Sequence, residues 1–144
     1  MTISTKGRYG LRLLIDVAIH QKGGVVNLKS IAERQKVSVK YLWQVANPLK
    51  AAGILRVTRG ARGGFLLAKD PKEVTLFDII SILEGSSSLT ECVDHRACAN
   101  TSSCAAHIIW IRMSEILVAS MREITLAEAV EIQEALGVSQ PPCK

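Results

Sequence analysis

Residues 27–68 combine two short capped helices with two short strands around a turn rich in glycine and arginine. Asn27 and Ser38 are suited to cap the helices, because their side-chain oxygens can accept hydrogen bonds from free first-turn amides. The turn Arg59-Gly60-Ala61-Arg62-Gly63 separates two apolar segments and predicts a hairpin. The predicted elements are helices over 27–35 and 39–52 and strands over 54–58 and 64–68. The predicted fold class is therefore mainly α, a winged helix-turn-helix with a two-stranded wing.

Two side chains of the second helix conflict with its pattern. Pro48 has no amide proton, so it is expected to kink or end the helix there. Trp43 is interpreted as a core residue because large aromatic side chains gain most from burial, with a stacking contact as the alternative.

Helical patterns also occur on both sides of this region. Thr75-x-x-Asp78 and Thr125-x-x-Glu128 both resemble capping boxes at the start of a helix. Residues 86–103 are mostly polar and show no sustained period. The further helices are expected over 6–21, 75–85, 104–122 and from Thr125 onward.

Charge is divided sharply between the two halves of the chain. Residues 1–69 carry 13 lysines and arginines against two acids, a net charge of +11. Residues 70–144 carry five basic residues against 11 acidic ones, a net charge of −6. A basic surface can serve solubility alone, but segregation of this kind favours a polyanionic partner for the first half.

The basic half is predicted to bind double-stranded DNA, with the second helix in the major groove. Gln44 is suited to read adenine, whereas Lys40 and Tyr41 are expected to touch phosphate or sugar. Arg59 and Arg62 are expected to reach the neighbouring minor groove. A plain hairpin and a nucleotide-binding loop are the alternatives for the glycine-rich turn. The candidate contacts are Ser38, Lys40, Tyr41, Gln44, Arg59, Gly60 and Arg62.

Three cysteines and a histidine form the pattern C-x5-C-x5-C-x2-H. Three thiolates and one imidazole can hold zinc or an iron–sulfur cluster. Zinc ligands usually come in pairs two to four residues apart, so this looser spacing favours a cluster. The candidate ligands are Cys92, Cys98, Cys104 and His107.

Neighbouring residues leave alternatives open for this site. His95 is a competing nitrogen ligand, and Cys143 is interpreted as a free thiol. Ser102 or Ser103 can cap the long helix, which would place Cys104 in its first turn, where the helix dipole favours thiolate.

The long helix is apolar on two sides. Ile109, Met113 and Ile116 lie along one stripe, and Trp110 and Leu117 along another. A helix of this kind must be covered on both sides, and its burial within a single chain is the simpler alternative to a two-fold dimer. A dimer would place two reading helices about one DNA turn apart on a pseudo-palindromic site. The predicted dimer residues are Ile109, Met113, Ile116 and Leu117.

Over nearly its whole length the sequence resembles the IscR-like family of winged-helix, iron–sulfur-cluster transcription regulators. The resemblance rests on residues 4–9, Ser38-x-x-Tyr41-Leu42-x-Gln44, Arg59-Gly60-x-x-Gly63-Gly64, Leu83-Glu84-Gly85 and the cysteine pattern. It implies a dimeric repressor or activator with a cluster on Cys92, Cys98, Cys104 and His107. It also adds Lys6 and Arg8 to the DNA-binding candidates. Arg8 stands where some relatives have an acidic ligand, and Trp43 replaces the usual Glu.

The leading hypothesis is a cytoplasmic homodimer whose [2Fe–2S] or [4Fe–4S] cluster controls transcription. The alternatives are a DNA-binding regulator with a zinc or thiol-redox site and, less favoured, an iron–sulfur carrier or electron-transfer protein. No catalytic triad, paired carboxylates or nucleotide loop indicates an enzyme, and no apolar run indicates a membrane span. The expected division is a DNA-binding domain at 1–85, a cluster-binding loop at 86–107, dimerisation helices at 104–136 and a flexible tail at 137–144.

Overall fold

The computed structural model describes residues 3–85, 89–94, 98 and 100–137. Its helices are α1 (Thr5–His20), α2 (Leu28–Gln35), α3 (Val39–Ala51), α4 (Leu76–Glu84), α5 (Glu91–Asp94), α6 (Ala105–Glu123) and α7 (Leu126–Leu136). Its strands, β1 (Leu55–Thr58) and β2 (Gly64–Leu67), form an antiparallel pair. This mainly helical fold with a two-stranded wing confirms the predicted fold class.

Helix starts follow from local hydrogen bonds. Asn27 Oδ1 accepts from the Lys29 amide at 2.8 Å, which starts α2. Ser38 Oγ accepts from the Tyr41 amide at 3.1 Å, which starts α3. Thr75 forms the expected reciprocal capping box with Asp78 at α4. Because each cap needs just a few adjacent residues, these starts were predictable from sequence.

Pro48 was expected to kink or end α3, and it does not end the helix. The helix continues through Pro48 to Ala51, and the Ala52 amide donates to the Pro48 carbonyl at 3.0 Å. Proline removes one helical hydrogen bond, and here it does so in the last turn. Burial of Leu49 in the core holds the helix beyond that point.

The core is built around α1. Leu13, Leu14 and Val17 of α1 are fully buried against apolar side chains of α3 and α4. Leu126, the first residue of α7, belongs to the same core, and its amide donates to the Val74 carbonyl at 2.8 Å. The helix that follows α6 in sequence therefore packs back onto the winged helix.

The base of the wing is fixed to the connection between α1 and α2. Phe65 and Val26 exchange two backbone hydrogen bonds of 2.8 and 2.9 Å. Beside them, a Cβ atom on Gly64 would overlap the Val26 carbonyl oxygen. Glycine at this position therefore allows the two backbones to approach each other.

We expect Gly64→Ala to lower the free energy of unfolding by about 1–3 kcal/mol, the usual cost of overpacking. The atom in the way belongs to backbone, which cannot rotate aside. Gly23→Ala is the matched control, because nothing lies within 4 Å of a Cβ at that position. Thermal and urea unfolding of both variants measure the difference, and equal stability would contradict this account of the wing.

Candidate DNA-binding surface and metal centre

The turn between α2 and α3 is tight and its geometry is local. Lys36 ends α2 in the left-handed conformation with φ 54°. The Val37 amide donates to the Ala32 carbonyl at 3.1 Å. Ser38 then starts α3, so two residues reverse the chain between the helices and form a helix-turn-helix.

A buried carboxylate fixes α2 against α1. Asp16 is 4% exposed and accepts hydrogen bonds from Arg34 Nη2 at 2.6 Å and Arg34 Nε at 3.0 Å. Gln35 Nε2 donates to the same carboxylate at 3.0 Å, and Gln35 Oε1 accepts from Arg12 Nε at 2.7 Å. The hydrogen bond to Asp16 raises the pKa of Arg34 above its ordinary value. These contacts hold the helix-turn-helix in one position on α1.

One side of α3 is anchored in the core and the other is open. The buried side consists of Leu42, Val45, Ala46 and Leu49. The exposed residues recur three and four positions apart, so they share one face. They are Lys40, Trp43, Gln44, Asn47, Lys50 and Ala51.

The wing tip is also exposed and cationic. Arg59, Gly60 and Arg62 are all exposed, and the Gly63 amide donates to the Gly60 carbonyl at 2.9 Å. Gly60 has φ 112°, which favours glycine. The exposed face of α3 and the wing tip, residues 59–62, are called the cationic face below.

The basic side chains of this face have no acidic partner among the residues that the structure describes. In that part of the chain the ion pairs to carboxylates involve His20, Lys22 and Arg34. On this face the basic residues without such a partner are Lys40, Lys50, Arg59 and Arg62, and the neighbouring Lys29 at the start of α2 likewise has no such partner in the described ranges. An uncompensated cationic surface of this kind suits the phosphates of a nucleic acid.

The start of α3 lies next to the start of α1. The Tyr9 and Tyr41 rings meet edge-on with centroids 5.6 Å apart. Burial, followed by the effect of Tyr9, raises the pKa of the Tyr41 phenol, while the nearby Arg8 opposes that rise. The Tyr41 hydroxyl is buried and has no hydrogen-bond partner within the described part of the chain. This differs from the contact with phosphate or sugar expected for Tyr41, which needs an exposed hydroxyl.

Lys6 and Arg8 lie in the first turn of α1. Lys6 is half-buried, whereas Arg8 is exposed and its Nη2 donates to Thr5 Oγ1 at 3.1 Å. Ser4, which caps this turn, is fixed to the end of α4, because its Oγ donates to Glu84 Oε1 at 2.7 Å. Arg8 therefore joins the cationic face at the end of α3 that begins with Ser38.

Sequence reasoning missed several exposed residues of this region. Lys29, Asn47 and Lys50 were not among the candidates. Continuing the helical period from Lys40 identifies Asn47 and Lys50. Lys29 could not be identified in this way, because only the folded chain brings it to the cavity that the wing lines. The burial expected for Trp43 was wrong, since this residue is 38% exposed beside the wing.

The four candidate metal ligands lie in α5, at the start of α6 and between these helices. Cys92 and Cys104 are half-buried and Cys98 is exposed. His107 lies in the first turn of α6, and its Nδ1 is buried and has no hydrogen-bond partner among the residues that the structure describes. Within the described ranges, no three histidine, cysteine, aspartate or glutamate residues are close enough to hold a metal ion. The competing His95 and the tail residue Cys143 lie outside those ranges.

The start of α6 differs from the expectation. Cys104 itself occupies the N-cap position, with extended backbone, and makes no capping hydrogen bond. Ser102 and Ser103 instead belong to a 3₁₀ turn at Thr101–Ser103. The expected position of Cys104 within the first turn was therefore wrong by one residue.

The donor chemistry of these residues fits an iron–sulfur cluster. Three cysteines are free of disulfides, and thiolates are the usual cluster ligands. An imidazole nitrogen buried without a partner is costly to leave unpaired and is available to coordinate a metal.

The predicted dimer residues lie on the outward side of α6 or at its edge. Ser114 and Met121 face inward and are buried, and α6 packs against α4 and α5. Ile109, Met113 and Ile116 are exposed, with Ile116 at 71%, and Leu117 is half-buried. A row of exposed apolar side chains marks a surface suited to a protein partner. No helix in the described ranges has the length and apolarity to cross a bilayer.

Comparison with known proteins gives a consistent family. Residues 3–132 match the Rrf2 family, described as iron-dependent transcriptional regulators. The HTH-type transcriptional regulator IscR of Escherichia coli K12 is 36% identical over 139 residues, covering 96% of this chain and 86% of IscR.

Solved structures agree with this match. T. potens IscR has a TM-score of 0.76 at 34% identity, covering 98% of this chain and 94% of the IscR chain. CymR, the global cysteine regulator of B. subtilis, has a TM-score of 0.75 at 36% identity, covering 92% of this chain and 98% of CymR.

Proposed function

Since this chain belongs to the Rrf2 family of transcriptional regulators, we propose that it is a dimeric repressor or activator controlled by an iron–sulfur cluster. It is a DNA-binding regulator whose reading surface is the cationic face. The proposal rests on the basic side chains of α3 and the wing, which are exposed and have no carboxylate partner among the described residues. In a winged helix these two elements enter adjacent grooves of one duplex.

Different residues of the cationic face would contact different parts of the DNA. Gln44 can make a bidentate contact with adenine, and the exposed Asn47 is suited to the same edge. Lys40 and Arg8 hold phosphates and set the register. Arg59 and Arg62 reach the minor groove from the wing, where the glycine backbone allows close approach.

The cluster would be held by Cys92, Cys98, Cys104 and His107. When bound, it supplies a redox-active group whose potential depends on its neutral histidine ligand. Cys104 and His107 bring the first turn of α6 to that site, while Cys92 brings α5. Closure of the segment around these four residues would fix the start of α6 relative to the winged helix.

A second copy of the chain would cover the outward side of α6. Ile109, Met113 and Ile116 recur at helical spacing and leave apolar area exposed, and Leu117 borders them. A two-fold pair presents two copies of α3 to a pseudo-palindromic site. In this proposal residues 1–85 read DNA, 86–107 bind the cluster and 104–136 form the dimer, with a flexible tail at 137–144.

A thiol-redox regulator is the second candidate. It is favoured by the likeness to CymR, a global cysteine regulator, and by the mixed exposure of the three cysteines. Cys98 is exposed, whereas Cys92 and Cys104 are half-buried. Exposed thiolates are the ones most open to oxidation. In this candidate a disulfide or sulfenic acid takes the place of the cluster.

Anaerobic purification tests the two candidates. The full chain is produced in iron-replete cells, and iron, acid-labile sulfide and zinc are counted per chain. Equal iron and sulfide with a visible absorption band support the cluster. Colourless protein whose DNA binding responds to thiol oxidation supports the second candidate, and zinc-loaded protein contradicts both.

We expect Arg59→Ala to weaken DNA binding and to reduce the salt slope by about one. Loss of one phosphate or groove contact removes one released counterion. Lys72→Ala is the control, because Lys72 is also exposed but lies in the turn before α4. Fluorescence anisotropy on one duplex from about 50 to 200 mM salt gives both slopes. Equal slopes for the two variants would exclude the wing from the interface.

A further inference from the structure

A cavity of about 480 Å³ lies between the start of α2, α3 and the wing. Trp43 and Phe65 form an aromatic wall, with ring centroids 5.3 Å apart at an interplanar angle of 60°. Phe65 is buried, whereas Trp43 keeps 38% of its surface exposed. The indole therefore presents apolar area that the fold itself does not cover.

Cations surround this apolar wall. Lys29, Lys50 and Arg59 all line the cavity, and none pairs with a carboxylate among the described residues. An occupant must therefore be anionic at its edge and apolar where it meets the indole. Phosphates with an apolar group between them have this arrangement.

Trp43 also belongs to the face that reads DNA. It directly precedes Gln44 and lies on the same exposed side of α3. A duplex seated on this face meets the indole from the major groove. Of the groups that base pairs present there, the C5 methyl of thymine is the apolar one.

We propose that Trp43 is a specificity residue that packs its exposed indole surface on the C5 methyl of a thymine. Lys29 and Lys50 hold phosphates of the same strand, while Arg59 reaches the adjacent minor groove. This inference rests on the proposed DNA recognition by α3 and assigns one base preference within it. The neighbouring Gln44 reads an adenine, so the two side chains together favour an A·T-rich step.

The test uses a duplex that the wild-type protein selects from a random library. Each thymine is replaced in turn by deoxyuridine, which removes the methyl group alone. At one position in each half-site, we expect wild-type binding to weaken about fourfold, as for one buried methyl group. The Trp43→Ala protein should bind the thymine duplex more weakly than wild type does. It should bind the thymine and deoxyuridine duplexes equally well. Trp43→Phe retains part of the sensitivity.

The two changes together form a double-mutant cycle, which isolates the contact from general effects on the fold. Additive effects of Trp43→Ala and deoxyuridine at every thymine overturn the inference while leaving DNA binding in place. Absence of DNA binding by the wild-type protein overturns both this inference and the proposed function. Circular dichroism confirms that the compared variants are folded.

Fluorescence gives a second, independent measurement. Trp43 and Trp110 are the two tryptophans of the chain, so Trp110→Phe leaves Trp43 as the sole indole reporter. We expect the selected duplex to protect Trp43 from acrylamide quenching by at least about twofold, because a covered indole excludes the quencher. Unchanged quenching in a saturated complex overturns the contact. Trp43→Phe, which keeps Trp110, controls for quenching elsewhere.

Discussion

Asp16→Asn is expected to lower the free energy of unfolding by about 3 kcal/mol, the lower end of the range for breaking a buried ion pair. The substitution keeps the shape of the side chain but removes the charge that holds Arg34 and Gln35. Arg34 is 28% exposed, so water can hydrate it once its partner is neutral. The expected decrease in the free energy of unfolding therefore lies at the lower end of that range. For a chain of this size the melting temperature falls by roughly 10 °C.

Two further variants separate the ion pair from net charge. Glu33→Gln removes one negative charge from the exposed surface of α2, and we expect a change within about 0.5 kcal/mol. Asp16→Leu combined with Arg34→Met removes both charges, and it should cost less than Asp16→Asn alone. Urea unfolding followed by circular dichroism measures all three. If Asp16→Asn matches Glu33→Gln, the network does not hold α2.

The second large effect concerns the cluster. Replacing any one of Cys92, Cys98 and Cys104 by serine is expected to abolish the visible absorption band and remove nearly all iron and sulfide. Serine keeps the size of the side chain but loses the thiolate that binds iron. Cys143→Ser is the matched control and should keep the wild-type iron content, because that residue is proposed to be a free thiol.

Histidine variants identify the fourth ligand. His107→Ala should lose most of the iron, whereas His95→Ala should retain it. His107→Cys should restore iron binding with an altered absorption spectrum, because a thiolate replaces a neutral imidazole. The reverse result, loss with His95→Ala and retention with His107→Ala, would assign the ligand to His95. Full iron content in all three cysteine variants would refute the proposed site.

Local chemistry explains which parts of the fold were predictable. The caps at Asn27, Ser38 and Thr75 each depend on hydrogen bonds within three residues, so the sequence pattern was sufficient. The wing was equally accessible, since an arginine- and glycine-rich turn between two apolar segments has few other solutions. The exposed face of α3 was predicted in part, because Lys40 and Gln44, two of the DNA-binding candidates, lie on it.

Contacts between distant residues explain what was missed. The pair of Asp16 with Arg34 spans 18 positions, and no local pattern indicates it. Trp43 stays exposed because Phe65 takes the buried place in the wing, which depends on how α3 packs. Pro48 is tolerated because Leu49 is buried, a tertiary effect that overrides helix propensity.

The candidate metal ligands were predicted from their spacing, but spacing does not show whether the four residues come together at one site. Spacing identifies Cys92, Cys98, Cys104 and His107 as donors, but the path of the chain between them decides when they meet. The Nδ1 of His107, buried and without a partner in the described ranges, is a structural indication that no sequence pattern provides.

The attachment of α7 to the core determines how α6 can move. Leu126 is buried beside α1, and the Leu76 amide donates to the Ile124 carbonyl at 2.8 Å, so the carboxyl end of α6 is anchored. Its amino end, at Ala105, is exposed and directly follows Cys104. With 19 residues, the helix is roughly 28 Å long, so a tilt of about 5° about the anchored end displaces the other by roughly 2.5 Å. In the proposed dimer, a rearrangement among the cysteines at the start of α6 would change the angle between the two winged helices.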